Sequence, residues 1–353
     1  MNPEPPKRRW FRFSLRSLLV LVVVLAVPIA WVAKERRQSA YEAEVAVKLQ
    51  QNYSHVEIGG PYDFSRLDVP VKPQGWWREL ARKMLGERIV YADWREQAPV
   101  QEISLLSGLS HLQFFSLAGT QVSDLTPISE LTDLKYLQIY KKPFSDIRTP
   151  VSDLTPLAGL TTLEVLTLDG TQVSDLTSIS GLKNLRILSL DEALVSDIEP
   201  IAGLTNLTTL KLSGDHISDL TPLAGLTNLT TLTLGGDHIS DLTPLTRLTH
   251  LQTLALYGDT ISDLTPLAGL ANLQSLTLNG DQISDLTPLT GLAQLQTVKI
   301  WANRVSDSRP LTRLTNLDTL WLFAKHINDE QIAQLRKALP NCKVTAPSYA
   351  NVR

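Results

Sequence analysis

The sequence predicts a solenoid of the α/β type, with a parallel β-sheet on its concave face and 3₁₀ or extended turns on its convex face. Two observations carry this prediction. Ser-Asp pairs begin at 123, 152, 174, 196, 218, 240, 262, 284 and 306, a period of 22 residues from 152 onward. Inside each unit the aliphatic residues follow a Leu-x-x-Leu-x-Leu pattern, as at Leu229, Leu232 and Leu234. A fixed period in the twenties marks stacked units that bury an apolar face only against their neighbours.

The first element is a basic, aromatic stretch, Lys7 to Arg16. It runs into uninterrupted apolar or small residues from Leu18 to Ala33. Residues 1–14 are read as a cytoplasmic tail and 15–33 as a transmembrane helix. The 19 residues of that span cover roughly 28 Å as helix, close to a bilayer's hydrocarbon core of about 30 Å. Trp10 and Trp31 stand where interface aromatics belong, and Arg16 and Lys34 can snorkel. A cleaved signal peptide competes with this reading, but Trp31 or Pro28 would occupy the position three before the cleavage site. Five basic residues lie at or before the start of the span and three follow it. That bias favours a cytoplasmic N-terminus and extracytoplasmic repeats, in the periplasm or at the cell surface.

Residues 34–100 do not repeat and read as a juxtamembrane region and N-terminal cap, because a solenoid exposes its core at both ends. Glu35 to Gln51 and Pro73 to Leu85 read as helices, and Val56-Glu57-Ile58 as a short strand.

Ten repeats span 101–327, the first degenerate. Counting from the serine, positions 3, 6, 9, 12, 15, 17 and 22 are aliphatic and form the core. Positions 14 to 18 alternate with period 2 and form the strand. The rest is too short and too proline-containing for a full helix. Ser218 and Asp219 open their unit as natural caps for the turn begun by Leu220-Thr221-Pro222. Capping is the expected role of the whole aspartate ladder, which lacks the oxygen-rich loop that calcium needs. Residues 328–353 close the array, with a helix from about Asp329 to Leu339 and a short strand.

The chain has 353 residues and formal net charge −3, but residues 1–100 carry net +5 and 101–353 net −8. An acidic array lacks the basic footprint of a phosphate binder, so no nucleic-acid partner is expected. The single cysteine, Cys342, excludes an intrachain disulfide and a Cys-rich zinc site. There is no His-Glu-x-x-His, phosphate loop or nucleophile motif, so the chain is expected to be non-catalytic and to need no cofactor.

The unit Ser218-Asp219-Leu220-Thr221-Pro222-Leu223-Ala224-Gly225-Leu226-Thr227-Asn228-Leu229 resembles the 22-residue leucine-rich repeats of internalin-type bacterial surface proteins. The N-terminal Arg9-Trp10-Phe11-Arg12-Phe13-Ser14-Leu15-Arg16 and the closing Asn328 to Val344 resemble membrane-anchored leucine-rich-repeat proteins of planctomycete bacteria. The resemblance implies an α/β-type leucine-rich-repeat solenoid that binds a protein, without naming the ligand. A cytoplasm-facing scaffold and a secreted, internalin-like adhesin are the alternatives.

Function is expected where the units depart from recurrence. Positions 14, 16 and 18 face the concave side. They are aromatic at the N-terminal end (Phe114, Tyr136 and Tyr140) and at the C-terminal end (Tyr257, Trp301, Trp321 and Phe323, with Lys299 among them). Exposed aromatics of this density mark protein-binding hot spots, unless they crowd together at the array end. The step from 123 to 152 is 29 residues, so one unit carries an insertion near 141–150. Its Lys141, Lys142, Phe144 and Arg148 are a second candidate, and Ser145-Asp146-Ile147 echoes a repeat start. At position 20 a run of Asp215, Asp237, Asp259 and Asp281 forms an acidic ridge beside His216 and His238, with exposed loop residues expected rather than a metal site.

Overall fold

In the computed structural model, the described residues are Arg37, 56–59, 91–95, 100–141 and 145–346. The anchor segment 15–33 and, apart from Arg37, the two helices expected before the repeats lie outside them. Among the described residues no helix is long and apolar enough to cross a membrane.

Among the described residues thirteen strands form one sheet in strict chain order. The first seven are β1 Val56–Gly59, β2 Tyr91–Arg95, β3 Phe114–Ala118, β4 Tyr136–Tyr140, β5 Val165–Asp169, β6 Ile187–Leu190 and β7 Thr209–Ser213. The remaining six are β8 Thr231–Gly235, β9 Thr253–Tyr257, β10 Ser275–Asn279, β11 Thr297–Trp301, β12 Thr319–Phe323 and β13 Lys343–Thr345. β1 pairs with β2 antiparallel. From β2 onward neighbouring strands are parallel, and Leu232 stands opposite Leu254 and Leu210. Equivalent positions of successive units are therefore neighbours, about 4.8 Å apart.

Strands return through short 3₁₀ turns such as Thr155–Leu157 and Thr221–Gly225, most with proline at the first or second position. Proline suits that place because its missing N–H needs no partner there. The aspartate at position 2 sets up each turn. Asp219 Oδ1 accepts the Thr221 N–H at 2.8 Å, and the same bond recurs from Asp124 to Asp307. The capping role expected for the ladder is what the structure shows.

Leu220, Leu223, Leu226, Leu229, Leu232, Leu234 and Ile239 are all buried and belong to one continuous core running the length of the array. Truncating one such leucine to alanine costs about 2–5 kcal/mol, the spread reflecting how far its surroundings collapse. Position 11 ties the units together outside the core. Asn184, Asn206, Asn228, Asn272 and Asn316 each donate from Nδ2 to a backbone carbonyl of the preceding unit at 2.8–2.9 Å. His250 takes the same place, with Nδ1 2.9 Å from the Thr227 oxygen. At the end of the array Asn328 caps helix α1, Asp329–Ala338, in a reciprocal pair with Gln331. Ile332 and Leu335 of that helix close the core.

Candidate interaction surface

Register builds the C-terminal aromatic cluster. Position 18 of β9, β10, β11 and β12 brings Tyr257, Asn279, Trp301 and Phe323 into one row. Position 16 places Lys299 beside Trp321. The Trp301 and Phe323 rings stack, 5.6 Å between centroids and 5° from parallel. Trp321 leans on Phe323 at 6.2 Å and 44°. Lys299 Nζ lies 5.9 Å from the centre of the Trp321 ring, within cation–π range. Tyr257 and Trp321 remain 41% and 38% exposed, so the cluster is open to solvent although two of its rings are stacked.

The N-terminal aromatics do not form a matching open surface. Phe114 and Tyr136 are only 5% and 4% exposed, against the expectation of contact-ready rings. They sit at position 14, where β3 lies between β2 and β4, and their centroids are 6.4 Å apart. Burial, with the nearby Glu164 carboxylate, pushes the Tyr136 phenol above its ordinary pKa. Tyr140, at position 18, is partly exposed.

The insertion is likewise engaged. Lys141 Nζ lies 2.5 Å from Glu192 Oε2, and the Arg148 guanidinium donates to the Glu192 carbonyl. Thr149 N–H bonds the Gly170 carbonyl at 2.9 Å, and Thr149 bridges Thr171. Lys141 and Arg148 are therefore committed to the array rather than free for a ligand, because the acidic residue after β6 lies within their reach. Lys142 and Phe144 fall outside the described residues. The echo Ser145-Asp146-Ile147 does not fold as a repeat start. Ile147 is 70% exposed, whereas its counterpart Leu154 is 2% exposed.

Sequence reasoning passed over a polar network on the central strands. Asp169 Oδ1 accepts from the Ser189 hydroxyl at 2.6 Å and from the Asp191 N–H at 3.0 Å. Asp191 in turn holds Lys211 Nζ at 2.5 Å and the Ser213 hydroxyl. Burial pushes the Asp169 carboxyl above its usual range despite these donors. Burial pulls Lys211 down, but Asp191, Asp169 and Glu192 outweigh it and leave its pKa raised. The signal was present as opposite charges at positions 18 and 16 of neighbouring units, Asp191 and Lys211.

Beyond position 18 lies the rim. Its position-19 glycines stack tightly, since a Cβ on Gly258 would stand 2.5 Å from the Gly236 oxygen. A shallow trough of about 440 Å³ runs here, floored by Gly235 and Gly236 and edged by Asp215, Asp237, Asp259 and Tyr257. His216 and His238 are exposed. Among the described residues no group of three His, Cys, Asp or Glu side chains converges to hold a metal ion.

A family profile of leucine-rich repeats matches residues 183–225 and 205–247. No curated protein matches the chain. Among solved structures, an internalin (InlF) of Listeria monocytogenes is 26% identical over 77% of this chain and 87% of its own, with a TM-score of 0.51. Internalin C2 of the same species is 31% identical over 60% of this chain and 81% of its own, with a TM-score of 0.41. A TLR13–ssRNA13 complex is 20% identical over 76% of this chain and 44% of its own, with a TM-score of 0.53, and shares the fold alone. Repeat pattern, family profile and solenoid architecture agree that the chain is a leucine-rich-repeat protein of internalin-like fold.

Proposed function

We propose that this chain is a non-catalytic, membrane-anchored protein that presents its repeats outside the cytoplasm and binds a protein on the C-terminal part of its concave face. The observation that carries the binding site is the open cluster of Tyr257, Trp301, Trp321 and Phe323 with Lys299 over the Trp321 ring. Large rings held by a rigid sheet lose little entropy on docking and dominate interface energetics. An acidic array, net −8 over 101–353, supports a protein ligand over nucleic acid.

The anchor rests on the apolar span 15–33, and the orientation on the basic residues before it. The cytoplasm-facing alternative predicts repeats shielded from added protease in intact spheroplasts and cut only after lysis. The binding site is tested by capture of envelope proteins with the full chain and with Trp301→Ala and Trp321→Ala. Each truncation should weaken capture by about 2 kcal/mol, roughly thirtyfold, with thermal unfolding unchanged. Undiminished capture by the doubly truncated, folded chain removes this surface from consideration.

A further inference from the structure

We propose that the rim at positions 20 and 21 is self-complementary, and that a second copy of this chain docks on it about a two-fold axis. Along the rim, position 20 reads Asp215, Asp237, Asp259 and Asp281, and the next two units bring Arg304 at position 21 and Lys325 at position 20. The charge changes sign once. At the change Asn303 Nδ2 donates to Asp281 Oδ1 at 2.6 Å, which satisfies that carboxylate within the chain.

The others have no such partner. Asp215, Asp237, Arg304 and Lys325 are exposed and pair with nothing among the described residues. Asp259 accepts only a long bond, 3.4 Å, from the Asp281 N–H. Parallel register sets these like charges one strand spacing apart, about 4.8 Å, where they repel one another with no compensation from the fold. A surface that covers them must bring cations at the same spacing. Arg304 and Lys325 are the cations of two adjoining units on the same rim.

A two-fold axis through the unit of Asn279 and Asp281 makes the match reciprocal. It carries Asp259 onto the unit of Arg304 and Asp237 onto the unit of Lys325 in the second copy, twice over by symmetry. Charge on the rim is thus related by one axis, as an isologous, closed interface requires. The inference does not depend on a heterologous ligand for the aromatic cluster.

Analytical ultracentrifugation of the full chain in neutral-detergent micelles, at graded ionic strength, tests this. A monomer–dimer equilibrium that weakens as salt rises is expected. The pair Asp237→Lys with Asp259→Lys should raise the dissociation constant about tenfold or more, and so should Arg304→Glu with Lys325→Glu. A chain carrying all four changes should return to the parent's constant, because each ion pair is then reversed rather than lost. A parent that stays monomeric at every concentration overturns the proposal. So does a dimer untouched by either double substitution, or a fourfold chain that stays dissociated. Circular dichroism checks the fold of each variant. Should a lysine pair misfold, Asp237→Asn with Asp259→Asn is read in the same way.

Discussion

Lys141 Nζ lies 2.5 Å from Glu192 Oε2, joining the insertion to the loop after β6 across 51 residues of sequence. Glu192 holds the left-handed backbone conformation, φ 54°, which non-glycine residues adopt only when their surroundings fix them. The ion pair and the Arg148 bond to the Glu192 carbonyl are those surroundings.

Glu192→Gln should therefore loosen the insertion without unfolding the array. The Lys141 and Glu192 side chains are 23% and 51% exposed, so the pair contributes at most about 1 kcal/mol to global stability. Amide exchange at Ile147 and Thr149 should quicken, while exchange in β8 and β9 stays at parent rates. Unchanged exchange across the insertion would show that the Thr149 bond to Gly170 and the Arg148 bond to the Glu192 carbonyl hold it without the ion pair.

The glycine ladder makes a sharper contrast. Gly258→Ala drives a methyl to 2.5 Å from the backbone oxygen of Gly236, which cannot swing aside. A loss of about 1–3 kcal/mol is expected in urea unfolding. Gly159 has open space where its Cβ would stand. Gly159→Ala should be neutral, or stabilise by up to about 1 kcal/mol through a stiffer unfolded chain. Equal effects at the two sites would contradict the stacking of position 19.

Stability should fall in acid. At Asp219 the hydroxyl and N–H of Thr221 hold the carboxyl below its ordinary pKa. The same shift is found at Asp124, Asp153, Asp175, Asp241, Asp263, Asp285 and Asp307. A folded pKa below the unfolded value of about 3.9 gives stability that is present above that value and lost as pH falls through the folded one. Asp169 runs the other way, because burial raises its pKa and the contribution fades as pH rises. Eight lowered groups outnumber it, so the melting temperature should be level near neutrality and drop below about pH 4. Asparagine at Asp219, Asp241 and Asp263 keeps an acceptor oxygen and should flatten the acid limb. An unflattened limb would place the acid sensitivity elsewhere.

Leu232 faces the core and Thr231 and Thr233 face out because a strand alternates and the period fixes which face is buried, so both were legible in the sequence. Asp219 was legible because its donors are two residues away in the chain. The aromatic row at Trp301 and Phe323 followed from register alone. What escaped involves one residue's place among non-repeating neighbours. Phe114 and Tyr136 are buried, although their repeat position faces the concave side. The Lys141–Glu192 pair spans two units through an insertion that breaks the register. The role of Asn228 at position 11 depends on the preceding unit, whose Thr205 carbonyl it reaches at 2.9 Å.

Oxidative footprinting of Tyr257, Trp301 and Trp321, with and without a captured partner, tests the concave-face site most directly. All three side chains should be protected in the complex, while Ile147, 70% exposed on the insertion, is oxidised at the free rate. Tyr257 and Trp321 oxidised equally in both states would contradict a binding site on these strands.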